Sequence, residues 1–456
     1  MTSDLSQWTA EQLAAAYASG DLSPVDATKA ALQAIDAHDD LRAFAYVDRE
    51  GALNQAVLSE QRWADGRALG PLDGVPASIK DLFPARGLPT LRGSRRTDPA
   101  QPWDADSPAA ATLRTNGLVL LGKTTTSELG WKGVTDNLID GITRNPWDPT
   151  LTAGGSSGGS GVAVRAGMGA VSVATDAAGS VRIPAAFCGV VGFKPTHGRI
   201  PMHPPSVLGT LAHAGPMARS VADVAALTDL LAARDHRDPS WTPAIGDPVD
   251  PVRIAFSPAL GRVTVQPEIA ALVAGTVAAL AGTGLHIEEV DPDFPDPASA
   301  FDVLWSVGVA HIVRRYGGTA PLDPGLQRLI ERGARHSTAD YLDAQSALAA
   351  LGVAMGEFHT RFDVLITPTM PIEPFAAGHD VPPGSGLTDW PQWTPFTYPF
   401  NMSRQPALSV PIGLTSRGLP AGIQIAGPRY ADSTVLAVGA LIEKLRPALA
   451  YPQEDA

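Results

Sequence analysis

The chain has 456 residues, 44% of them hydrophobic and 18% charged, enough apolar material for one large α/β domain or two or three smaller ones. Its formal net charge of −13 opposes general binding to nucleic acid or to an anionic membrane. The single cysteine, Cys188, excludes an internal disulfide and a multi-cysteine metal site, and fits a reducing compartment.

The first residues, MTSDLSQWTAEQLAAAYASGDLSP, carry Asp4 and Glu11, lack a basic start and contain no continuous apolar run, unlike a signal peptide. Thr9 and Gln12 have the spacing of a capping box for a helix that Gly20 ends. Ser23, with Pro24 at the first helical position, opens a second helix to about Ile35, and residues 1–60 read as a helical N-terminal region. GVPASIKDLF and GLVLLGK predict buried strands, whereas RNPWDPTLT, with two prolines, predicts a loop. SGVAVRAGMGAVSVATD predicts a helix and then a strand around Val171 to Ala174. A further helix is expected over 219–232, capped by Ser220, followed by a surface excursion at 235–250 that is rich in Pro and Asp.

VRIAFS reads as a strand, with helices expected from about Pro267 to Ala281 and over 338–361. FDVLITPTM, ALSVPIGL and AGIQIAG read as strands and TVLAVGALIEKL as a closing helix. This alternation predicts one α/β domain over 1–456, a mixed sheet with helices on both faces. No segment has the uninterrupted apolar length that spans a bilayer, and a cytoplasmic protein is expected.

TAGGSSGGSG, residues 152–161, is the least ordinary stretch, because so many glycines cost backbone entropy on ordering. A flexible linker does not suit it, since it runs straight into an apolar helix-like segment. GGSSG within it matches the G-x-S-x-G nucleophile elbow, but the strand an elbow needs is replaced by NPWDPTLTA. His311, His336 and His359 lie downstream, and none is singled out as a base. GLVLLGKT, residues 117–124, matches the P-loop pattern only on paper, because its four intervening residues are apolar and belong inside a strand. A functional loop remains, with its function open on spacing alone.

Longer blocks decide the reading. They are DGVPASIKDLF (73–83), LGKTTTSELG (121–130), NPWDPTLTAGGSSGGSG (145–161) and TDAAGSVRIPAAFCGVVGFKPTHGRIP (175–201). DVLITPTMP (363–371) and FNMSRQPALSVPIGLTSRGLPAGIQIAGP (400–428) follow late in the chain. In this order they resemble the amidase signature family from end to end, with 73–201 as the catalytic signature core, and within it an aryl-acylamidase- or urethanase-like branch. The resemblance implies a Ser–Ser–Lys triad: Lys80 as the lysine, Ser156 as the bridging serine after a cis peptide, and Ser180 as the nucleophile. It implies an oxyanion hole from the backbone of Ala177, Ala178, Gly179 and Ser180. Where the family pattern has glycine, this chain has Ala178, which would be strained at positive φ.

The implied chemistry is coherent. A serine hydroxyl needs a base, lysine serves only when neutral, and burial lowers its pKa. Strand alternation sends Asp81 to the face opposite Lys80. Asp176 and Arg182 read as a structural pair, and Cys188 as a small core residue. Attack by Ser180, departure of the amine and hydrolysis of the acyl-enzyme call for no metal or organic cofactor.

The expected reaction is therefore hydrolysis of neutral, apolar or aromatic amides, with aryl amides and carbamates chemically open. A small-molecule amide or carbamate is the expected partner, with no nucleic acid and no membrane, in a monomer or homodimer. The aromatic run TDWPQWTPFTYPF suggests Trp390 and Trp393, joined by Trp131, as a substrate pocket, against a plain core role. The alternatives are the glutaminase component of a tRNA-dependent amidotransferase and a non-catalytic amide-binding module. Residues 328–345 lack the arginine-rich pattern associated with that component, which favours the hydrolase.

Overall fold

Thirteen strands alternate with helices along the chain, in a computed structural model that describes residues 5–243, 246–446 and 449–450. The strands are β1 (Phe44–Val47), β2 (Pro76–Lys80), β3 (Val119–Thr124), β4 (Asp136–Asn137), β5 (Gly141–Ile142), β6 (Val171–Asp176) and β7 (Val191–Lys194). They continue as β8 (His213–Ala218), β9 (Ile254–Phe256), β10 (Ile287–Glu289), β11 (Val364–Pro368), β12 (Ala407–Leu414) and β13 (Pro420–Ala426). Eleven form one mixed sheet in the order β1-β3-β2-β6-β8-β7-β12-β13-β11-β9-β10, and β4 and β5 make a separate hairpin. This is a single large α/β domain.

Alternation along the strands feeds the two largest apolar cores among the described residues. In β11, Val364 and Ile366 face one apolar layer and Leu365 the other. In β2, Ala77 and Ile79 join the first layer, under the helices Ala10–Ser19, Pro108–Thr115 and Val221–Leu231, so Ser78 and Lys80 point to the other face. The second layer packs the helices Ala298–Tyr316, Pro324–Gly333 and Thr338–Phe358 around Phe301, Trp305 and Leu348.

The capping signals hold in detail. Thr9 and Gln12 make the reciprocal capping box, Gly20 closes that helix at φ 76°, and Ser23 caps Pro24–Ala37. The expected strands around residues 74–83, 117–123 and 362–370 form β2, β3 and β11. Strand β1 interrupts residues 1–60, which the sequence reads as a helical region, and strands β4, β5, β7, β8 and β10 and the helix Ala298–Tyr316 lie outside the elements the sequence singled out. Residues 235–250 are mostly exposed or half-buried where described, and Ala244 and Ile245 of that stretch lie outside the described residues. Among the described residues, no helix is long and apolar enough to cross a membrane.

Candidate active site

Strands β2 and β6 run parallel, with Ser78 opposite Ser172 and Ile79 opposite Val173, so their carboxyl ends arrive together. That end of a parallel pair is where loops can gather around a ligand. It presents Lys80 from β2 and Thr175 from β6, side by side.

The Gly/Ser stretch crosses above them and leads into the helix Gly158–Arg165. A side chain at Gly155 would place its Cβ 2.4 Å from the Val134 backbone, so only glycine lets the chain pass here. The Gly155–Ser156 peptide is cis. Ser156 Oγ then lies 2.7 Å from Lys80 Nζ and 3.0 Å from Ser180 Oγ. Lys80 Nζ also contacts Ser157 Oγ at 2.8 Å and Thr175 Oγ1 at 2.9 Å. The Ser157 N–H donates to the Ser180 carbonyl at 3.3 Å, which ties the two loops together.

Lys80 is fully buried, and that burial drives its pKa well below the ordinary lysine value, against the opposing pull of the Asp176 charge. Asp81 does not face it. Its carboxylate lies 3.3 Å from Lys123 Nζ, itself a buried group on β3 whose pKa burial lowers to about 8. Lys123, the lysine of the apparent P-loop, therefore lies inside a strand, hydrogen-bonded to the Phe83 carbonyl and Thr90. It has no loop with which to cradle a phosphate.

Asp176 closes β6 and organises the turn that carries Ser180. Burial would raise its pKa, but the bidentate Arg182 guanidinium overrides this and holds the carboxyl far below the usual carboxylate range. Arg182 is anchored in turn by the Thr397 carbonyl, Gln424 and Asn401. The pair is structural, as the sequence suggested.

The same carboxylate accepts the Gly179 N–H at 2.7 Å and the Val181 N–H at 3.2 Å. These two bonds limit which backbone donors of the expected oxyanion set stay unengaged. Gly179 has committed its N–H to Asp176, whereas Ala177, Ala178 and Ser180 have no hydrogen-bond acceptor for theirs among the described residues. The positive φ of the turn, 122°, falls at Gly179 and not at Ala178, so alanine carries no strain there.

Ser180, Ser156 and Thr175 form the floor of a cavity of about 380 Å³. Leu82, Phe83, Leu129, Trp305 and Ile312 are among the side chains of its walls. Trp131, Trp390 and Trp393 do not line it, which corrects the expected pocket. They are buried in the second core, Trp393 stacked on Phe187 at 6.0 Å and Trp390 edge-on to Phe301 at 6.2 Å. The wall tryptophan is Trp305, from a helix whose apolar positions Phe301, Leu304, Trp305 and Val309 have clear helical spacing in the sequence. Cys188 is buried, and burial raises its thiol pKa, as befits a core residue. Among the described residues, no group of three or more His, Cys, Asp or Glu side chains is placed to hold a metal ion.

A family model described as Amidase matches residues 26–436. The chain belongs to the amidase signature family. This amidase is 36% identical to an acylamidase of Rhodococcus erythropolis, covering 98% of this chain and 97% of that protein. It is 33% identical to the A-type subunit of the glutamyl-tRNA(Gln) amidotransferase of Chloroflexus aurantiacus, over 97% of each. A solved bacterial aryl acylamidase of the amidase signature enzymes superposes with a TM-score of 0.88 at 31% identity, covering 96% of both chains. The protein is an amide-hydrolysing enzyme.

Proposed function

We propose that this amidohydrolase cleaves amides with an apolar or aromatic body through an acyl-enzyme on Ser180. The observation that carries the reading is the unbroken line Lys80–Ser156–Ser180, with its lysine buried and its far end opening into a mainly apolar cavity. Neutral Lys80 receives a proton from Ser156, which takes one from Ser180 as the Ser180 oxygen attacks the carbonyl carbon. The developing oxyanion is met by the free N–H groups of the Ala177–Ser180 turn. The proton returns through Ser156 to the leaving nitrogen, the C–N bond breaks, and the amine departs. Water then enters, gives its proton to the same relay, and releases the carboxylic acid and free Ser180.

An aryl carbamate offers the same electrophilic carbonyl, so urethane cleavage belongs to this chemistry. The acylamidase relative and the aryl acylamidase neighbour support the aryl and acyl preference. The amidotransferase relatives keep a second reading in view, that of a glutaminase working inside a complex. One assay separates the two. The purified chain alone, without ATP or tRNA, is expected to release aniline from simple anilides, with a Ser180 acyl adduct visible by mass spectrometry. Activity on glutamine alone, with anilides inert, overturns the proposal.

A further inference from the structure

The cavity is apolar on most of its wall, yet two arginines reach it. Arg92 is half-buried, and Arg315 is exposed on the last turn of the helix Ala298–Tyr316. The Arg92 guanidinium lies over the Tyr316 ring, 4.9 Å from its centroid, and spends one N–H group on the Thr90 carbonyl at 2.9 Å. Its other guanidinium donors, and all those of Arg315, have no hydrogen-bond partner among the described residues. Neither arginine belongs to an ion pair among those residues. The carboxylate that receives the Arg92 backbone N–H, Asp81, is already paired with Lys123.

Among the described residues, no Asp or Glu lines the cavity. A chain of net charge −13 thus leaves two guanidinium groups without an ion-pair partner among the described residues on the wall of the cavity that also holds Ser180. Stacking on Tyr316 accounts for where Arg92 sits, and a helix C-terminus favours a cation at Arg315. Neither accounts for the exclusion of carboxylates from the whole lining. A guanidinium offers paired donors that match a carboxylate, and partial exclusion of water strengthens that contact.

We infer that Arg92 and Arg315 determine specificity, receiving a carboxylate at the end of the substrate remote from the scissile amide. The substrate class is then an amide with an apolar body and a distal anionic end, which departs from the wholly neutral amide that the sequence suggested. This rests on the hydrolase reading proposed above.

The test compares acetanilide with its para-carboxylate, and butyranilide with succinanilate, so that the charge is carried first by the amine side and then by the acyl side. A preference in kcat/KM of about tenfold for at least one carboxylated member, expressed in KM, is expected, falling as salt rises. Arg92→Met and Arg315→Glu should each collapse that preference ratio toward one, and Arg92→Lys should retain part of it. Arg315 is exposed, so its variant tests the idea even if Arg92→Met fails to fold. A wild-type ratio near one for both pairs, or a ratio that survives both substitutions, overturns the inference. If neither member of a pair is hydrolysed, the hydrolase reading fails. Calorimetric binding of the same probes to Ser180→Ala then decides the inference separately: about tenfold tighter binding of a carboxylated probe supports it, and equal binding overturns it.

Discussion

Neutral Lys80 has two N–H bonds and one lone pair, and three hydroxyls lie within 2.9 Å of it. Ser157 already donates its own O–H to the Thr175 carbonyl at 3.1 Å, so it can only accept from the amine. If Thr175 Oγ1 accepts the second N–H, the lone pair is left for Ser156, which is the direction the relay requires. Burial depresses the Lys80 pKa, so its neutral fraction grows as pH rises. Activity is therefore expected to climb from acid pH toward a neutral-to-alkaline plateau; full activity well below neutral pH would count against a lysine base. Thr175→Val removes an acceptor that stabilises the ammonium more than the amine. The acid limb should move to lower pH while kcat falls roughly tenfold. Ser180→Ala should abolish turnover. Ser156→Ala and Lys80→Ala should each lose most of it, and the double variant should be little worse than either alone, because the three side chains act as one unit.

At the scale of strands and turns, two buried pairs hold the site's frame. Lys123 on β3 and Asp81 just past β2 neutralise each other beside the strand that carries Lys80. Lys123→Met strands a buried carboxylate and should cost about 3–5 kcal/mol in urea unfolding. Asp176→Asn should be comparably destabilised at neutral pH, since Arg182 loses its buried partner. The folded-state pKa of Asp176 is depressed, so its contribution is complete above the unfolded value of about 3.9 and is lost as pH falls through the folded one. The gap in stability between wild type and Asp176→Asn should accordingly narrow only in strong acid.

The sequence made the site legible for a local reason. Lys80, Ser156 and Ser180 each sit inside a contiguous block whose residues shape the turn around them. Strands β2, β3 and β11 could be read from their apolar, β-branched runs. Strand β8, HAGPMA, could not, having no β-branched residue and both Gly215 and Pro216 in its interior. It is a strand because β6 pairs along its whole length, while β7 pairs only with Met217 and Ala218, beyond the proline. The cavity wall was hidden for a different reason. Leu82 and the helix that carries both Trp305 and Arg315 lie more than two hundred residues apart in the chain, and only the packed fold brings them to one cavity. The aromatic run that looked like a pocket is consumed in building that core, which is why Trp393 is buried behind the cavity and not on it.

The whole molecule must fasten that wall to the signature core, and Lys132 is placed to do so. It follows the LGKTTTSELG block and is nearly fully buried. Its Nζ lies 2.5 Å from Asp136, 3.0 Å from Asp323 and 2.7 Å from Asp380. Burial would lower its pKa, but the three carboxylates overcome this and raise it. Asp323 caps the helix Pro324–Gly333, and the Asp380 segment is held further by the Trp393 indole donating to its carbonyl at 3.0 Å. One ammonium thus joins the signature core to two late segments, at residues 323 and 380. Lys132→Met would leave three buried or half-buried carboxylates facing one another without a cation, a cost of the order of several kcal/mol. The first outlet for that repulsion is opening of the late segments, since each contributes one of the charges. Hydrogen exchange should accelerate around 320–326 and 377–389 before it does in β2 and β6, and the change should be largest above the carboxylate pKa range. The cavity wall stands on the helix Ala298–Tyr316, whose Trp305 indole donates to the Trp131 carbonyl at 3.1 Å beside this hub. Loosening the hub should therefore raise KM for anilides more than it lowers kcat, because Lys80, Ser156 and Ser180 are held by other contacts. Uniformly faster exchange across the sheet, or a loss confined to kcat, would show that Lys132 serves general stability and does not fasten the wall.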